Sequence, residues 1–195
     1  AMGLTGKTLE EVVDLSNAEI NVQSRGRLGN LVETYYFGIE QNSDPRADFP
    51  DVGLELKVTG VEPNSHKKAK EGYPFKAKER LVLSMIDFSE IHDETWETAS
   101  VRKKLDKILI LFYLFEKAIP AQRYRFILDP LLYEIPIEDL EIIKQDWEII
   151  QQKIKEGRAH ELSEGDTNFL GACRKGDAKS KLRKQLNSEI PAKSR

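Results

Sequence analysis

Cysteine is almost absent from this sequence of 195 residues, which contains Cys173 and three histidines. A single thiol excludes a disulfide within the chain and is typical of a protein of the reducing cytoplasm. It also argues against a structural thiolate–imidazole zinc site, which uses two to four cysteines. Long apolar runs are missing too. The longest, ILILFYLF at 108–115, is far shorter than the roughly 20 residues of a membrane-spanning helix, so we expect no association with a membrane.

Repeats and linkers are also lacking. The chain is 39% hydrophobic and 32% charged, a composition typical of a globular protein, and it is long enough to bury one sizeable core. No stretch rich in Gly, Ser or Pro divides it. The sequence therefore predicts a single domain over 4–195, after an Ala-Met-Gly opening at 1–3 that is typical of a cloning scar.

The net charge of −3 argues against nucleic-acid binding, but the charges are unevenly distributed. Residues 66–80 contain six Lys or Arg and two Glu, and residues 173–195 contain eight Lys or Arg and two acidic residues. By contrast, residues 129–166 contain eleven acidic side chains and four basic ones. This pattern fits a basic face that binds DNA phosphates, and it also fits ordinary solvated loops and helix faces.

Apolar spacing along the chain predicts interleaved helices and strands, and hence an α/β fold with a mixed sheet. The first helix has a capping box, Thr8 with Glu11, and Gly38 and Gly157 are predicted to end two later helices. The predicted helices are 8–15, 28–40, 95–107, 137–159 and 178–188. The predicted strands are 52–59, 80–88 and 108–115, followed by a strand and turn within 124–136 and a strand that runs into a basic turn within 167–176.

The segment DFPDVGLELK at 48–57 is the strongest candidate for chemistry. In a strand, Glu55 and Lys57 point to one face, and a turn can bring Asp48 beside them, with the Leu56 carbonyl between. Two carboxylates of this kind hold Mg²⁺, which activates water and phosphate, while a nearby lysine stabilises developing charge. The alternative is an ordinary surface ion pair, which the pattern alone does not exclude.

The surrounding sequence resembles the MutH and Sau-type GATC-specific restriction endonuclease family of PD-(D/E)XK nucleases. The similar segments are DFPDVGLELK (48–57), TWETASVRKKL (95–105), RGRLGNLVETYYFG (25–38), IIKQDWEIIQQKIKEGRAHELSEG (142–165) and FLGACRKG (169–176). They cover nearly the whole chain in the family's order. The resemblance implies a restriction-endonuclease-like mixed sheet flanked by helices, with a DNA cleft on one side.

The resemblance also implies roles for individual residues. Asp48 and Glu55 match the family's metal-binding carboxylates, and Lys57 matches the lysine of its motif. Glu33 matches a helix glutamate that completes the acidic, metal-binding site, and Lys104 matches a helix lysine that approaches it. All five are therefore expected to act in catalysis.

A second set of residues is expected to contact DNA. Lys175 matches a DNA-contacting lysine in the family's recognition loop. Cys173 occupies the position of a base-reading arginine, and Arg174, next along, has a guanidinium that can bind a guanine edge. The basic stretches add three candidates for phosphate contacts, which are Lys67, Lys68 and Lys179.

By this resemblance the expected function is a Mg²⁺-dependent type II restriction endonuclease that cleaves double-stranded DNA before the G of GATC, leaving a 5′-phosphate. Two alternatives stay open, a MutH-type nicking endonuclease of mismatch repair and a non-cleaving GATC-binding module of a larger restriction enzyme. The family continues beyond the last residue of this chain, so a C-terminal segment and a second domain in cis are expected. Double-strand cleavage would need a transient dimer on DNA or two turnovers.

Overall fold

The computed structural model describes residues 2–16, 27–40, 46–64, 72, 74–174 and 182–193. The chain divides into two compact units. The first unit comprises Ala1–Val82 and Lys107–Tyr133 and contains a four-stranded sheet. The second comprises Leu83–Asp106 and Glu134–Arg195 and contains a long helix and a β-hairpin. No helix within the described ranges has both the length and the apolar character needed to cross a membrane.

The sheet of the first unit is mixed. Its strands are β1 (Leu54–Pro63), β2 (Phe75–Ala77), β3 (Lys107–Leu114) and β4 (Leu131–Tyr133), in the order β2-β1-β3-β4. β1 is parallel to β3 along most of its length, whereas β2 and β4 are antiparallel to their neighbours. β2 pairs with the last part of β1, from Val61 to Pro63. This mixed sheet confirms the predicted restriction-endonuclease-like α/β class.

One face of the sheet packs against the first helix. Helix α1 (Arg27–Leu31) continues into a π-helical turn, Val32–Tyr36. Buried side chains of this helix and turn cluster with Leu56 of β1 and Leu111 of β3, and full burial of each side chain of this kind stabilises the fold by about 1.5–3 kcal/mol. Because strand side chains alternate, Leu56 in this core directs Glu55 and Lys57 to the opposite face.

The second unit is organised by helix α2 (Ile137–Lys155), which matches the prediction for 137–159. The helix buries the apolar stripe expected from its spacing, including Ile143, Trp147, Ile150 and Ile154. The ring of Trp147 packs on that of Trp96, with 5.8 Å between centroids.

A β-hairpin, β5 (Leu182–Gln185) and β6 (Ser188–Lys193), lies against the end of α2. The backbone N–H of Ala159 donates to the buried Gln185 Oε1 at 2.6 Å. The side-chain amide of Asn187 donates to the Lys155 carbonyl at 2.8 Å, which satisfies one of the carbonyls left open at the helix end. The prediction of a helix at 178–188 is therefore wrong in its described part, because these tertiary contacts outweigh the helical propensity of Lys, Leu, Arg and Gln.

Other predicted elements also differ from the structure. The strand predicted at 80–88 is irregular, because the segment passes from one unit to the other after Val82 and has no ladder partner among the described residues. The helix predicted at 95–107 is reduced to turns and the 3₁₀ segment Arg102–Lys104. Ahead of that segment, the N–H and Oγ of Ser100 donate to the Glu94 carboxylate. These bonds are a local alternative to helical hydrogen bonds.

The remaining differences concern element ends. The helix predicted at 8–15 is the 3₁₀ turn Leu9–Glu11, although the N–H of Thr8 donates to Glu11 Oε2 at 2.7 Å as its capping box predicts. Of the strand predicted at 124–136, the regular part is β4, and the strand predicted at 167–176 is irregular over its described residues 167–174. Val52 precedes β1 and is 62% exposed, so it does not join Leu56 in the core.

Candidate active site

Residues 48–54 fold back so that Asp48 reaches the strand that follows it. The N–H of Phe49 donates to the Leu54 carbonyl at 2.9 Å, and the N–H of Leu54 donates to the Phe49 carbonyl at 3.2 Å. A 3₁₀ turn, Pro50–Val52, lies between these two residues. It begins with proline, whose fixed φ suits the first position of a helix. As a result, Asp48 Oδ2 accepts a hydrogen bond from the backbone N–H of Leu56 at 2.8 Å.

Glu55 and Lys57 form an ion pair on one face of β1. Lys57 Nζ donates to Glu55 Oε1 at 2.5 Å, and the side chains are 18% and 1% exposed, respectively. The neighbouring strand places Ile108 and Ile110 in register with them, and both isoleucines are buried. The pair is therefore not an exposed surface pair. A buried carboxylate of this kind needs a charged or hydrogen-bonding partner.

The Leu56 backbone places a further oxygen at the same edge of the strand. In an extended strand the N–H and C=O of one residue point to the same side. Because the Leu56 N–H binds Asp48 rather than β3, the Leu56 carbonyl also points away from β3. β2 lies along that side, but its pairing with β1 begins at Val61. The Asp48 carboxylate and the Leu56 carbonyl thus lie on the stretch of β1 that β2 leaves open.

These donors fit Mg²⁺, which binds oxygen ligands. The hydrogen bond from Leu56 occupies Oδ2 of Asp48. The second oxygen of that carboxylate, the Leu56 carbonyl and Glu55 are the oxygen atoms that would hold the ion. In the part of the chain that the structure describes, no three His, Cys, Asp or Glu side chains converge as a complete metal cluster. Mg²⁺ does not need one, because it commonly binds one or two carboxylates together with water and substrate phosphate.

Glu33 lies in the π-helical turn that follows α1 and is half-buried. Its neighbour Val32 is fully buried and belongs to the same core cluster as Leu56, so the turn packs over β1. The N–H of Phe37 donates to the Val32 carbonyl at 3.1 Å, five residues back. Single π turns change the direction of side chains and are frequent at functional sites. The role of Glu33 as a third metal ligand stays a prediction.

The other predicted residues belong to the second unit or lie outside the described residues. Lys104 is half-buried in the 3₁₀ turn Arg102–Lys104, and Arg174 is exposed at the end of the described segment 167–174. Their roles stay predictions, as do those of the residues outside the described ranges, Lys67, Lys68, Lys175 and Lys179.

Asp146 is a buried polar residue for which no sequence motif predicts a role. It lies on α2 with 0% exposure, and its carboxylate accepts hydrogen bonds from the backbone of residues 168–170. The signal that marks it in the sequence is its place on the apolar stripe of the helix, between Ile143 and Ile150. A carboxylate at such a position must find internal partners.

Comparison with known proteins identifies related sequences. The chain matches the family described as "DNA mismatch repair enzyme MutH" over residues 37–146. That range includes Asp48, Glu55 and Lys57 and ends before the basic C-terminal stretch; Glu33 lies just ahead of it.

Individual relatives belong to two kinds of protein. The type II restriction enzyme Sau3AI of Staphylococcus aureus is 42% identical over 189 residues, which is 95% of this chain and 37% of that protein. The DNA mismatch repair protein MutH of Actinobacillus pleuropneumoniae serotype 5b (strain L20) is 31% identical over 189 residues, which is 95% of this chain and 78% of that protein. MutH of Vibrio campbellii is 29% identical over 161 residues, with 83% of this chain and 66% of that protein covered.

Proposed function

Since the chain belongs to the MutH family, we propose that it is the catalytic domain of a Mg²⁺-dependent type II restriction endonuclease. The proposed substrate is double-stranded DNA containing GATC, cleaved before the G to leave a 5′-phosphate. The restriction branch is favoured because identity to the restriction enzyme is 42%, against 31% to MutH over the same length of 189 residues.

The observation that carries the proposal is the position of Asp48. Its carboxylate is fixed by the Leu56 N–H at 2.8 Å, on the residue that separates the two members of the Glu55–Lys57 pair. Two carboxylates, those of Asp48 and Glu55, and the ammonium of Lys57 are thereby held at one short segment of β1. A fixed arrangement lowers the cost of bringing reacting groups together.

Each group has a distinct task in phosphodiester hydrolysis. Mg²⁺, when bound, polarises the phosphate and lowers the pKa of a bound water. Asp48 and Glu55 supply the negative charge that holds the cation. Lys57 is the more exposed member of its pair, so its ammonium lies at the end of the pair that a phosphate can reach. There it orients the attacking water by a hydrogen bond and stabilises the negative charge that grows on the phosphate oxygens.

The remaining predicted residues complete the proposal. Glu33 contributes a third carboxylate, and Lys104 is proposed to act in catalysis. Arg174 and Lys175 contact the recognition sequence, and three lysines, Lys67, Lys68 and Lys179, contact phosphates. Each lost phosphate contact should reduce the slope of log affinity against log salt by about 0.9.

A nicking endonuclease of the MutH type is the second candidate, favoured by the 31% identity that extends over 95% of the chain. The two candidates differ in their products. A restriction endonuclease linearises plasmid with unmethylated GATC sites, whereas a nicking enzyme of mismatch repair cuts one strand of a hemimethylated site. A non-cleaving DNA-binding module is the third candidate, and the presence of Asp48, Glu55 and Lys57 argues against it.

The test is incubation of the purified chain with Mg²⁺ and a supercoiled plasmid that carries few GATC sites, with EDTA as the metal-free arm. We expect cleavage at GATC that EDTA abolishes and that Lys57→Ala lowers by about a hundredfold or more. Arg123→Ala is the matched control, because it removes a cation of the same unit from an exposed ion pair with Glu10 at 3.1 Å. Unchanged cleavage by Lys57→Ala would overturn the assignment of the site.

A further inference from the structure

We propose that Asp146 is a positioning residue for the segment 167–174, which ends with Arg174, a residue proposed to contact DNA. The inference rests on the proposed function and deepens it, because it assigns target discrimination, rather than bond cleavage, to a buried carboxylate of helix α2. All of the contacts that carry it lie within the second unit.

The Asp146 carboxylate is surrounded by backbone N–H groups of three consecutive residues. The N–H of Asn168 donates to Oδ1 at 3.0 Å, and those of Phe169 and Leu170 donate to Oδ2 at 2.7 and 2.9 Å. Consecutive N–H groups that converge in this way form an anion-binding concavity. Here the anion is supplied by the protein itself.

Only a carboxylate satisfies this turn. The Asp146 side chain is 0% exposed, so water is not available to replace a missing acceptor. Asparagine has one acceptor oxygen, and its amide would direct N–H donors toward backbone N–H donors. Serine is shorter and has a single oxygen. The requirement for two acceptor oxygens explains why an ionisable group occupies the apolar face of α2.

A second contact closes the same turn. The hydroxyl of Thr167 donates to the Leu170 carbonyl at 2.7 Å, so the turn is held by Asp146 through its N–H groups and by Thr167 across its ends. A third contact, Lys153 Nζ to Asp166 Oδ2 at 2.8 Å, ties the preceding residues to α2. Asp146 and Lys153 are seven residues apart, which places them on the same side of the helix.

The turn leads directly to the residues proposed to contact DNA. Phe169 is 58% exposed although its N–H is bound to Asp146, so its ring is displayed at the surface by a fixed backbone. Arg174 follows and is exposed. Base recognition depends on side chains placed with the precision of a hydrogen bond. Anchoring the turn to a long helix therefore fixes the start of the recognition segment before DNA binds.

The experiment compares Asp146→Asn with the parent chain, both carrying Lys57→Ala to prevent cleavage. Fluorescence anisotropy gives the affinity for a GATC duplex and for a duplex of the same length and composition with the site scrambled. We expect the ratio of the two affinities to fall by about tenfold or more, as when a base contact is misplaced, while the affinity for the scrambled duplex stays nearly constant. Hydrogen exchange at residues 168–170 should accelerate in the variant.

The matched control is Gln151→Met on the same helix. Gln151 is also buried, and its amide donates to the carbonyls of Ile91 and Glu94 at 2.7 and 2.8 Å, so it anchors a different segment. Both substitutions remove buried hydrogen bonds from α2, but only Asp146→Asn should change discrimination. An equal effect of the two variants, or none from Asp146→Asn, overturns the inference.

Thr167→Val keeps the test decisive if Asp146→Asn fails to fold, because it loosens the same turn without a buried charge defect. It should lower discrimination and leave unfolding cooperative, and unchanged discrimination would overturn the inference. A parent chain with no preference for GATC would instead overturn the proposed function, and this inference with it. A parent chain that discriminates while both turn variants discriminate equally well would overturn the inference alone.

Discussion

The carboxylate of Asp48 accepts a hydrogen bond at 2.8 Å from the backbone N–H of Leu56, eight residues later in the chain. This bond has two effects. It closes the turn that precedes β1, and it places an acid beside the strand that carries Glu55 and Lys57. The two effects can be separated by substitution, because hydrogen bonding and charge depend on different properties of the side chain.

Asp48→Asn should abolish cleavage and preserve the fold. Asparagine keeps an acceptor for the Leu56 N–H but has no negative charge to hold a cation, so we expect the Mg²⁺-dependent rate to fall by about a thousandfold. Asp48→Ala loses the hydrogen bond as well and should cost about 1 kcal/mol of unfolding free energy. Plasmid cleavage and urea denaturation measure the two effects. Equal stability of the Ala and Asn variants would contradict the structural role of the bond.

Removing Lys57 alone should destabilise the protein more than removing both members of its pair. Lys57→Met removes the ion pair that Lys57 makes with the Glu55 carboxylate, which is 1% exposed. We expect a loss of about 2–3 kcal/mol of unfolding free energy, at the low end for a buried pair because Lys57 is partly open to solvent. Adding Glu55→Gln removes the buried negative charge as well and should recover part of that loss. Arg123→Ala, from an exposed pair, should cost less than about 1 kcal/mol. The measurement is equilibrium unfolding in urea, and a double variant no more stable than Lys57→Met would refute this account.

Gly157→Ala should destabilise the fold far more than Gly38→Ala. Both glycines follow a helical segment, and both have a positive φ, +74° and +69°. A Cβ at Gly157 would lie 2.3 Å from the Asn187 carbonyl oxygen, whereas a Cβ at Gly38 would meet no described residue within 4 Å apart from its chain neighbours. Gly38→Ala should therefore show the left-handed penalty alone, about 1–2 kcal/mol. Gly157→Ala should exceed it by at least about 1 kcal/mol, because the hairpin must move. Similar unfolding midpoints would show that the hairpin does not pack closely on the helix end.

Tyr113 should make the fold sensitive to alkali. Burial raises the pKa of Tyr113 to about 12, with Glu79 adding to the effect, while an unfolded tyrosine titrates near pH 10, its usual value. Between these two values the folded chain binds more protons than the unfolded chain at this site. The contribution of Tyr113 to the free energy of unfolding is therefore fully present below about pH 10 and is lost as the pH rises through about 12.

Tyr113→Phe isolates this contribution from the lysines that titrate in the same range. The unfolding free energy of the parent chain should fall more steeply with pH above about 10 than that of the variant. Phenolate absorbance provides a second measurement. Tyr113 should ionise at a higher pH than an ordinary tyrosine, as should Tyr124, whose pKa is also raised by burial. Parallel stability curves for the two proteins would contradict the prediction.

Sequence patterns predicted the elements that depend on local signals. Helix α2 shows a continuous apolar stripe, and β3 is a run of β-branched and aromatic residues, so both are recognisable without their neighbours. The alternation around Leu56 likewise predicted that Glu55 and Lys57 share a face. It did not predict that the pair is buried, because burial depends on β3, which is distant in the chain.

Elements that depend on distant contacts were not predictable in this way. The segment that forms β5 has the composition of a helix. Its strand conformation accompanies two hydrogen bonds of the Gln185 side chain, which accepts from the N–H of Ala159, 26 residues away, and donates to the Ile190 carbonyl. The segment at 80–88 has the apolar content of a central strand but no partner among the described residues. Asp146 looks like a misplaced charge until the backbone of residues 168–170 is brought against it.

The incomplete cover of β1 by β2 has a consequence for self-association. A strand with an open edge is a template on which other chains can add strands, and natural sheets protect such edges with charge. On β1 that protection is supplied by Asp48, which occupies the Leu56 N–H that an invading strand would need. Replacing Asp48 with an apolar residue would therefore favour aggregation through this strand edge. In such a variant, a loss of soluble protein would have to be distinguished from a loss of catalytic activity.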